Sequence, residues 1–231
     1  CDTAFIRLPE GSTRINVKIN AGEETEINGQ GPVITEEAQS ALFEQLDALK
    51  EEDILVLAGS IPNTLPSDIY ERILEHLQGR GIHFVVDATK ELLLKVLKYH
   101  PFLIKPNNHE LGEMFGVTLK TRDEIVTYAK KLQEMGAENV LVSMAGDGAI
   151  LLTEDGIIYK AKPPKGKVLN SVGAGDSMVA GFLTGYLNTG EYEKAFRLGV
   201  VTGSATAFQY WLATKEDIVA LMEDKPETYG L

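Results

Sequence analysis

The sequence predicts an α/β fold, in which a mostly parallel sheet has helices on both sides and a small antiparallel sheet stands apart from it. Three observations lead to this prediction. Short apolar runs alternate with segments of helical spacing over most of the 231 residues. Residues 13–19 alternate strictly between apolar and polar side chains, which is typical of a strand with one packed face. Apolar residues make up 44 % of the chain, enough for a large core.

Residues 1–30 are predicted to form the small antiparallel sheet. In the strand at 13–19, Ile15, Val17 and Ile19 share one face. Residues 4–8 show a weaker strand pattern, and residues 23–27 show another. The pattern changes at Thr35, where helical spacing begins.

From that point strands and helices alternate. Buried-strand patterns occur at residues 54–58, 84–86, 102–104 and 140–142. Helical spacing occurs at residues 38–49, from residue 67 to about residue 79, at residues 91–98, and from Thr121, which forms a capping-box pattern with Glu124. This alternation indicates βαβ units and therefore a mostly parallel sheet.

After Ser143 the alternation ends. Turn signals at residues 146–148 and 154–156 flank short apolar runs at 149–152 and 157–159, which favours an antiparallel edge. The remainder is predicted to be helical, with helices starting near Gly173, spanning about 192–208, and following Thr214.

Charge and cysteine content exclude several classes of protein. The chain has 22 Lys and Arg against 34 Asp and Glu, a net charge of −12, which argues against nonspecific binding of nucleic acid or an anionic membrane. Cys1 is the single cysteine, so an internal disulfide framework and a multi-cysteine metal site are excluded, and a reducing compartment, the cytoplasm, fits best. No apolar run of roughly 18 residues predicts a membrane span, and no signal peptide opens the chain.

Polar or glycine-rich groups follow each predicted parallel strand. They are residues 59–62, Asp87, residues 105–110 and residues 143–146. Ligands of open parallel sheets bind at the carboxyl ends of the strands. We therefore expect these groups to converge on one rim.

The strongest local signal is the glycine motif at residues 170–177, where a helix begins. Glycines let backbone N–H groups approach an anion closely, and the helix N-terminus adds partial positive charge. Asp176 in the first turn supplies a base beside such an anion, as phosphoryl transfer requires. A second interpretation stays open, in which Gly173 and Gly175 only allow tight packing and Asp176 only caps the helix.

Two other nucleotide motifs do not match. No string fits the G-x-x-x-x-G-K-[ST] pattern of a Walker A loop. A dinucleotide fingerprint needs a third glycine where this chain has Met178, which disfavours an NAD-dependent enzyme.

Taken together, the motifs resemble the ribokinase-like (pfkB-type) family of carbohydrate kinases. The resemblance is carried by four segments in the family's order and spacing: residues 59–62, Asn107-x-x-Glu110, residues 143–148 and residues 173–176. It covers essentially the whole chain. It implies a three-layer α/β/α sandwich, with residues 1–30 as part of a β-sheet lid over the sugar and residues 31–231 as the nucleotide- and sugar-binding core.

The resemblance implies roles for the residues around the glycine motif. Asp176 would be the general base for the sugar hydroxyl, and the backbone of Gly173, Ala174, Gly175 and Asp176 would form the anion hole for the transferring phosphoryl group. ATP would bind at Lys105, near its phosphates, at Gly203, beside the adenine, and along Ser143, Met144, Ala145, Gly146, Asp147 and Gly148. A monovalent cation near the motif is left open.

It also implies how metal and sugar are held. Asn107 and Glu110 would organise Mg²⁺, largely through waters. Arg14 and Ser60 would meet the phosphate that the sugar already carries. Residues 11–19 look most like the fructose-1-phosphate kinases of the family, so the implied reaction converts fructose 1-phosphate to fructose 1,6-bisphosphate. Tagatose 6-phosphate and fructose 6-phosphate are alternative acceptors, and a homodimer is open.

Plainer interpretations of these residues are also open. Asn107 and Glu110 could serve only as a helix cap and a first-turn acid, Asp87 could only cap the next helix, and Arg14 could only be solvated. A noncatalytic nucleotide-binding relative is the alternative of a different class.

The family's N-terminal portion, with the first strands of the central sheet and part of the lid, has no counterpart in this sequence, which starts at Cys1 rather than Met. We interpret the sequence as a fragment or trimmed product. We expect the chain in this form to bind sugar poorly and to be unstable alone.

Overall fold

The computed structural model describes residues 2–20, 24–222 and 228–230. The chain divides into two compact units. The smaller comprises Cys1–Leu55 and Gly59–His83, and the larger comprises Val56–Ala58 and Phe84–Leu231. In the part described, no helix is long and apolar enough to cross a membrane.

Strands and helices alternate through most of the chain. The strands are β1 (Asn16–Asn20), β2 (Glu24–Asn28), β3 (Ile54–Ala58), β4 (His83–Asp87), β5 (Leu103–Ile104), β6 (Asn139–Ser143), β7 (Ala149–Leu152), β8 (Ile158–Ala161) and β9 (Thr228–Gly230). The helices are α1 (Glu36–Leu46), α2 (Ile69–Leu77), α3 (Lys90–Val96), α4 (Asn108–Met114), α5 (Arg122–Glu134), α6 (Ala174–Thr189), α7 (Tyr192–Ala207) and α8 (Lys215–Met222).

In the smaller unit, β1 and β2 form an antiparallel ladder, which confirms two of the predicted strands. The prediction that the face of Ile15, Val17 and Ile19 is packed is wrong, because all three side chains are exposed. The prediction of a strand at residues 4–8 is wrong, because this segment belongs to none of the described strands. Its Phe5 is 87 % exposed, and the carbonyl of Ala4 accepts a hydrogen bond from the Gln45 side chain at 3.1 Å. A weak strand pattern does not by itself supply a partner strand to pair with. Residue 23 of the predicted strand 23–27 lies outside the described residues.

The sheet of the larger unit is mixed, as the sequence predicts. β4, β5 and β6 are parallel neighbours, and β7, β8 and β9 continue the sheet in antiparallel order. The apolar residues of these three strands are buried on both faces, because helices cover a parallel sheet from both sides. The prediction of an antiparallel edge after Ser143 is confirmed.

Helix α5 begins at a fully formed capping box. The Thr121 hydroxyl accepts from the Glu124 N–H at 3.2 Å, and the Glu124 carboxylate accepts from the N–H groups of Thr121 and Lys120 at 2.9 and 2.8 Å. These bonds satisfy backbone donors that the first helical turn leaves free. The start of α5 is therefore fixed firmly.

Helices α6 and α7 pack against each other along a seam of four glycines. A Cβ atom at Gly181 would lie 2.5 Å from the Thr202 hydroxyl, and one at Gly185 would lie 2.6 Å from Ala195 Cα. At Gly199 and Gly203 the nearest atoms are backbone carbonyl oxygens of α6, both at 2.9 Å. No real Cβ fits at such distances, so the helices approach this closely only because these residues are glycine.

Candidate functional site

The carboxyl ends of the parallel strands carry a buried ion pair. Asp87 ends β4, and Lys105 follows β5 directly. The Lys105 Nζ lies 3.2 Å from the Asp87 carboxylate, and Lys105 is only 7 % exposed. A lysine buried so deeply needs a partner for its charge, and Asp87 provides it.

The glycine motif lies directly beside this pair. Gly173 adopts the left-handed conformation, with φ of +77°, and α6 starts at the next residue. A Cβ atom at Gly175 would lie 3.1 Å from the Lys105 Nζ. The Lys105 ammonium group therefore lies next to the backbone of Gly175, which has no side chain, at the N-terminus of the 16-residue helix α6. Backbone N–H groups, helix charge and a lysine together form a site suited to an anion.

Asp176 lies exposed in the first turn of α6. Its carboxylate is close enough to Asp87 to affect the ionisation of that residue. Burial raises the pKa of Asp87 above its ordinary value, Lys105 opposes this rise, and the charges of Asp176 and Glu110 add to it. The charges of Asp176 and Glu110 thus act on the Asp87 carboxylate that pairs with Lys105. Asp87 and Lys105 meet at the carboxyl ends of β4 and β5, as the sequence predicts.

Asn107 and Glu110 form a capping box at the start of α4. The Asn107 side chain accepts from the N–H groups of His109 and Glu110 at 2.9 and 2.8 Å, and one Glu110 oxygen accepts from the Asn107 N–H at 2.9 Å. Among the residues described, no group of three or more His, Cys, Asp or Glu is arranged to hold a metal by itself. The helix-capping role of Asn107 and Glu110 is confirmed, and their metal role stays a prediction.

The segment from Ser143 to Gly148, which the sequence predicts to line a nucleotide site, is called here the nucleotide loop. It begins at the last residue of β6 and contains a 3₁₀ turn at Ala145–Asp147. Ala145 is left-handed with φ of +46°, and Gly148 has φ of +90°. A Cβ atom at Gly148 would overlap the carbonyl of Ala161. The Met144 N–H donates to the Gly148 carbonyl at 2.8 Å and closes the loop.

One contact to the nucleotide loop escaped the sequence analysis. The Arg122 guanidinium at the start of α5 donates to the Asp147 carbonyl at 2.5 Å. A second contact that the sequence did not predict lies outside this loop: the Thr206 hydroxyl near the end of α7 donates to the Ser177 hydroxyl in the first turn of α6 at 2.9 Å. Neither contact follows from local spacing, because each joins residues far apart in the chain.

Gly203 lies where α7 touches the first residue of α6, since a Cβ there would be 2.9 Å from the Ala174 carbonyl. We expect Gly203→Ala to push the two helices apart at the glycine motif, with a loss of about 1–3 kcal/mol in the free energy of unfolding. Urea unfolding of the intact protein and this variant measures the loss. Gly146→Ala, at a glycine where a Cβ meets no neighbour and φ is not positive, separates the effect of crowding from that of removing a glycine.

Arg14 and Ser60 both belong to the smaller unit. Two guanidinium nitrogens of Arg14 lie 3.4 Å from the Ser60 hydroxyl. Both side chains are exposed, and this long contact leaves most of the guanidinium donors free for an anion. The structure therefore brings together the two residues predicted to hold the sugar's phosphate.

Comparisons with known proteins identify the family of this chain. The model of the pfkB family carbohydrate kinases matches residues 2–216. The 1-phosphofructokinase of Bacillus subtilis is 54 % identical over 96 % of this chain and 73 % of its own length. The D-tagatose-1-phosphate kinase of Bacillus licheniformis is 35 % identical over 89 % of this chain and 67 % of its own length.

A solved structure shares the fold. The phosphofructokinase-2 of Escherichia coli, in complex with substrates and products, superimposes with a TM-score of 0.83 at 27 % identity, over 90 % of this chain and 69 % of its own. Another structure of that enzyme, in complex with potassium, has the same TM-score. The chain belongs to the pfkB family of carbohydrate kinases.

Proposed function

We propose that the intact protein transfers the γ-phosphoryl group of ATP to a hydroxyl of a phosphosugar, converting fructose 1-phosphate to fructose 1,6-bisphosphate. The observation that carries this proposal is the position of Asp176, exposed in the first turn of α6 beside bare glycine backbone and the Lys105 ammonium. The 54 % identity to a 1-phosphofructokinase supports the choice of sugar.

The reaction needs a base and a place for negative charge. The Asp176 carboxylate takes the proton of the acceptor hydroxyl as its oxygen attacks the γ-phosphorus of ATP. The new O–P bond forms, the bond from the γ-phosphorus to the bridging oxygen breaks, and ADP leaves with that oxygen. The N–H groups of residues 173–176 and the Lys105 ammonium stabilise the charge on the phosphoryl oxygens.

The surrounding carboxylates fit a hydrated divalent cation. Asn107 and one oxygen of Glu110 are engaged with backbone N–H groups. The second Glu110 oxygen and the Asp87 carboxylate are left to accept hydrogen bonds from metal-bound water, the form in which proteins usually hold Mg²⁺. When bound, Mg²⁺ neutralises charge on the ATP phosphates. A monovalent cation near the motif has support from the potassium complex of E. coli phosphofructokinase-2.

The nucleotide loop and Gly203 are proposed to hold the nucleoside part of ATP. The exposed backbone of residues 145–147 offers polar groups, and Gly203 lies next to the first residue of α6. A cytoplasmic homodimer is part of this proposal. Exposed apolar side chains on β1 and β2, including Val17 and Ile27, support a second copy as the partner.

Acceptor choice tests the proposal directly. We expect the intact protein to phosphorylate fructose 1-phosphate with a higher kcat/KM than tagatose 6-phosphate, D-tagatose 1-phosphate, fructose 6-phosphate or fructose. Arg14→Gln removes the charge that recognises the existing phosphate, and we expect it to raise the KM for fructose 1-phosphate about tenfold or more. Its activity toward unphosphorylated fructose should match that of the parent. Preference for another phosphosugar would keep the mechanism and correct the substrate, whereas failure to transfer to any of them would contradict the proposal.

A further inference from the structure

The last peptide of the nucleotide loop is held at both of its polar groups. This peptide joins Asp147 to Gly148. Its N–H donates to the Ala145 carbonyl at 3.0 Å, and its carbonyl accepts from the Arg122 guanidinium at 2.5 Å. Only the second bond comes from outside the loop.

The loop needs this support because its own conformation is strained. A non-glycine residue with positive φ, such as Ala145 at +46°, is uncommon and its backbone is strained. Residues 145–147 are exposed, so burial does not hold them in place. Gly148, at φ of +90°, has no side chain to restrict the orientation of the preceding peptide, which therefore depends on the hydrogen bonds of that peptide.

Arg122 is well placed to hold the Asp147 carbonyl in one orientation. The capping box of Thr121 and Glu124 anchors the backbone on either side of Arg122, and Ile125 and Val126 bury the next turn of the helix in the core. The guanidinium is always charged and planar, so it donates in a fixed direction. A hydrogen bond from a charged donor is stronger than a neutral one.

We infer that Arg122 is a positioning residue for the nucleotide: it holds the Asp147–Gly148 peptide in the orientation that lets the nucleotide loop bind ATP. The inference rests on the proposed function, since it takes this loop as the place where the nucleotide binds. Arg122 acts through the loop and not on the transferring phosphoryl group. Its removal therefore weakens nucleotide binding and leaves the chemical step and the sugar site unchanged.

Steady-state kinetics of the intact protein test the inference. For Arg122→Gln we expect the KM for ATP and the Kd of ATP to rise about tenfold, with kcat and the KM for fructose 1-phosphate at the parent values. Arg122→Lys, which keeps one charged donor, should recover part of the loss. Lys130→Gln removes an exposed cation from the same helix and should match the parent. A variant that lowers kcat with unchanged nucleotide affinity would overturn the inference.

Hydrogen exchange without nucleotide gives a readout independent of catalysis. We expect the amides of residues 145–148 to exchange faster in Arg122→Gln than in the parent, while those of α5 keep their protection. Equal exchange in the loop would overturn the inference, and so would faster exchange throughout α5, because Arg122 would then act on the helix. If the parent transfers no phosphoryl group to any sugar, the proposed function fails, and the exchange measurement still decides whether Arg122 orders the loop.

Discussion

Asp176→Asn is expected to lower kcat for fructose 1-phosphate by about 10³-fold, because asparagine cannot accept the proton of the acceptor hydroxyl. The amide has nearly the shape of the carboxylate, so α6 and its exposed first turn should persist. The Kd of ATP should stay close to the parent value, since the nucleotide meets the backbone and Lys105. Titration calorimetry with ATP, combined with steady-state rates, measures both quantities.

Asp123→Asn is the matched control for this experiment. Asp123 is also an aspartate in the first turn of a helix, and its side chain is 93 % exposed. We expect this variant to keep the parent kcat. If Asp176→Asn also kept it, the base would lie elsewhere, and a noncatalytic nucleotide-binding relative would become the better interpretation of the chain.

Lys105→Met is expected to lower kcat/KM for ATP by about 10²-fold, because it removes the ammonium group beside the bare backbone of Gly175. It also leaves the Asp87 carboxylate without its partner at 3.2 Å. Breaking a buried pair in this way costs roughly 3 kcal/mol of stability when the remaining charge stays ionised.

This loss of stability should depend on pH in a defined direction. The pKa of Asp87 is already raised by burial, and loss of Lys105 raises it further. The folded variant then holds a proton that the unfolded chain releases, so its stability falls as pH rises through the folded pKa of Asp87. The gap in Tm between Lys105→Met and the parent should therefore be larger at about pH 8 than at about pH 5.

The double variant Asp87→Asn/Lys105→Met separates folding from catalysis. With no buried charge left at this position, we expect its stability to return toward that of the parent and to lose its pH dependence. Its activity should remain low. Recovery of activity in the double variant would show that Lys105 serves only to neutralise Asp87.

The sequence predicts most of the larger unit because periodicity and local signals act over short distances. The capping box at Thr121 and Glu124, the antiparallel turn after Ser143 and the start of α6 at the glycine motif all follow from neighbouring residues. The strand wrongly predicted at residues 4–8 shows the limit of this reasoning, since a local strand pattern does not indicate whether a partner strand is present.

Contacts that join distant parts of the chain could not be predicted in the same way. The sequence is equally consistent with Asp87 as a helix cap and as a member of the site. The 3.2 Å contact between its carboxylate and the Lys105 Nζ decides between the two. Arg122 is 25 positions away from Asp147, on a different element, and no spacing rule connects them. Asn107 and Glu110 form the helix cap, which confirms the plainer interpretation of this pair. The cap engages one Glu110 oxygen, and the metal role of the pair stays a prediction.

The glycine seam between α6 and α7 bears on any attempt to engineer this protein for heat resistance. Exchanging glycine for alanine inside a helix is a common stabilising step, since alanine favours helix by about 1 kcal/mol. At Gly181, Gly185, Gly199 and Gly203 the same exchange would wedge the helices apart. In a library of glycine-to-alanine variants selected for activity, we therefore expect substitutions at these four positions to become rare. Their loss would identify the seam from sequence data alone.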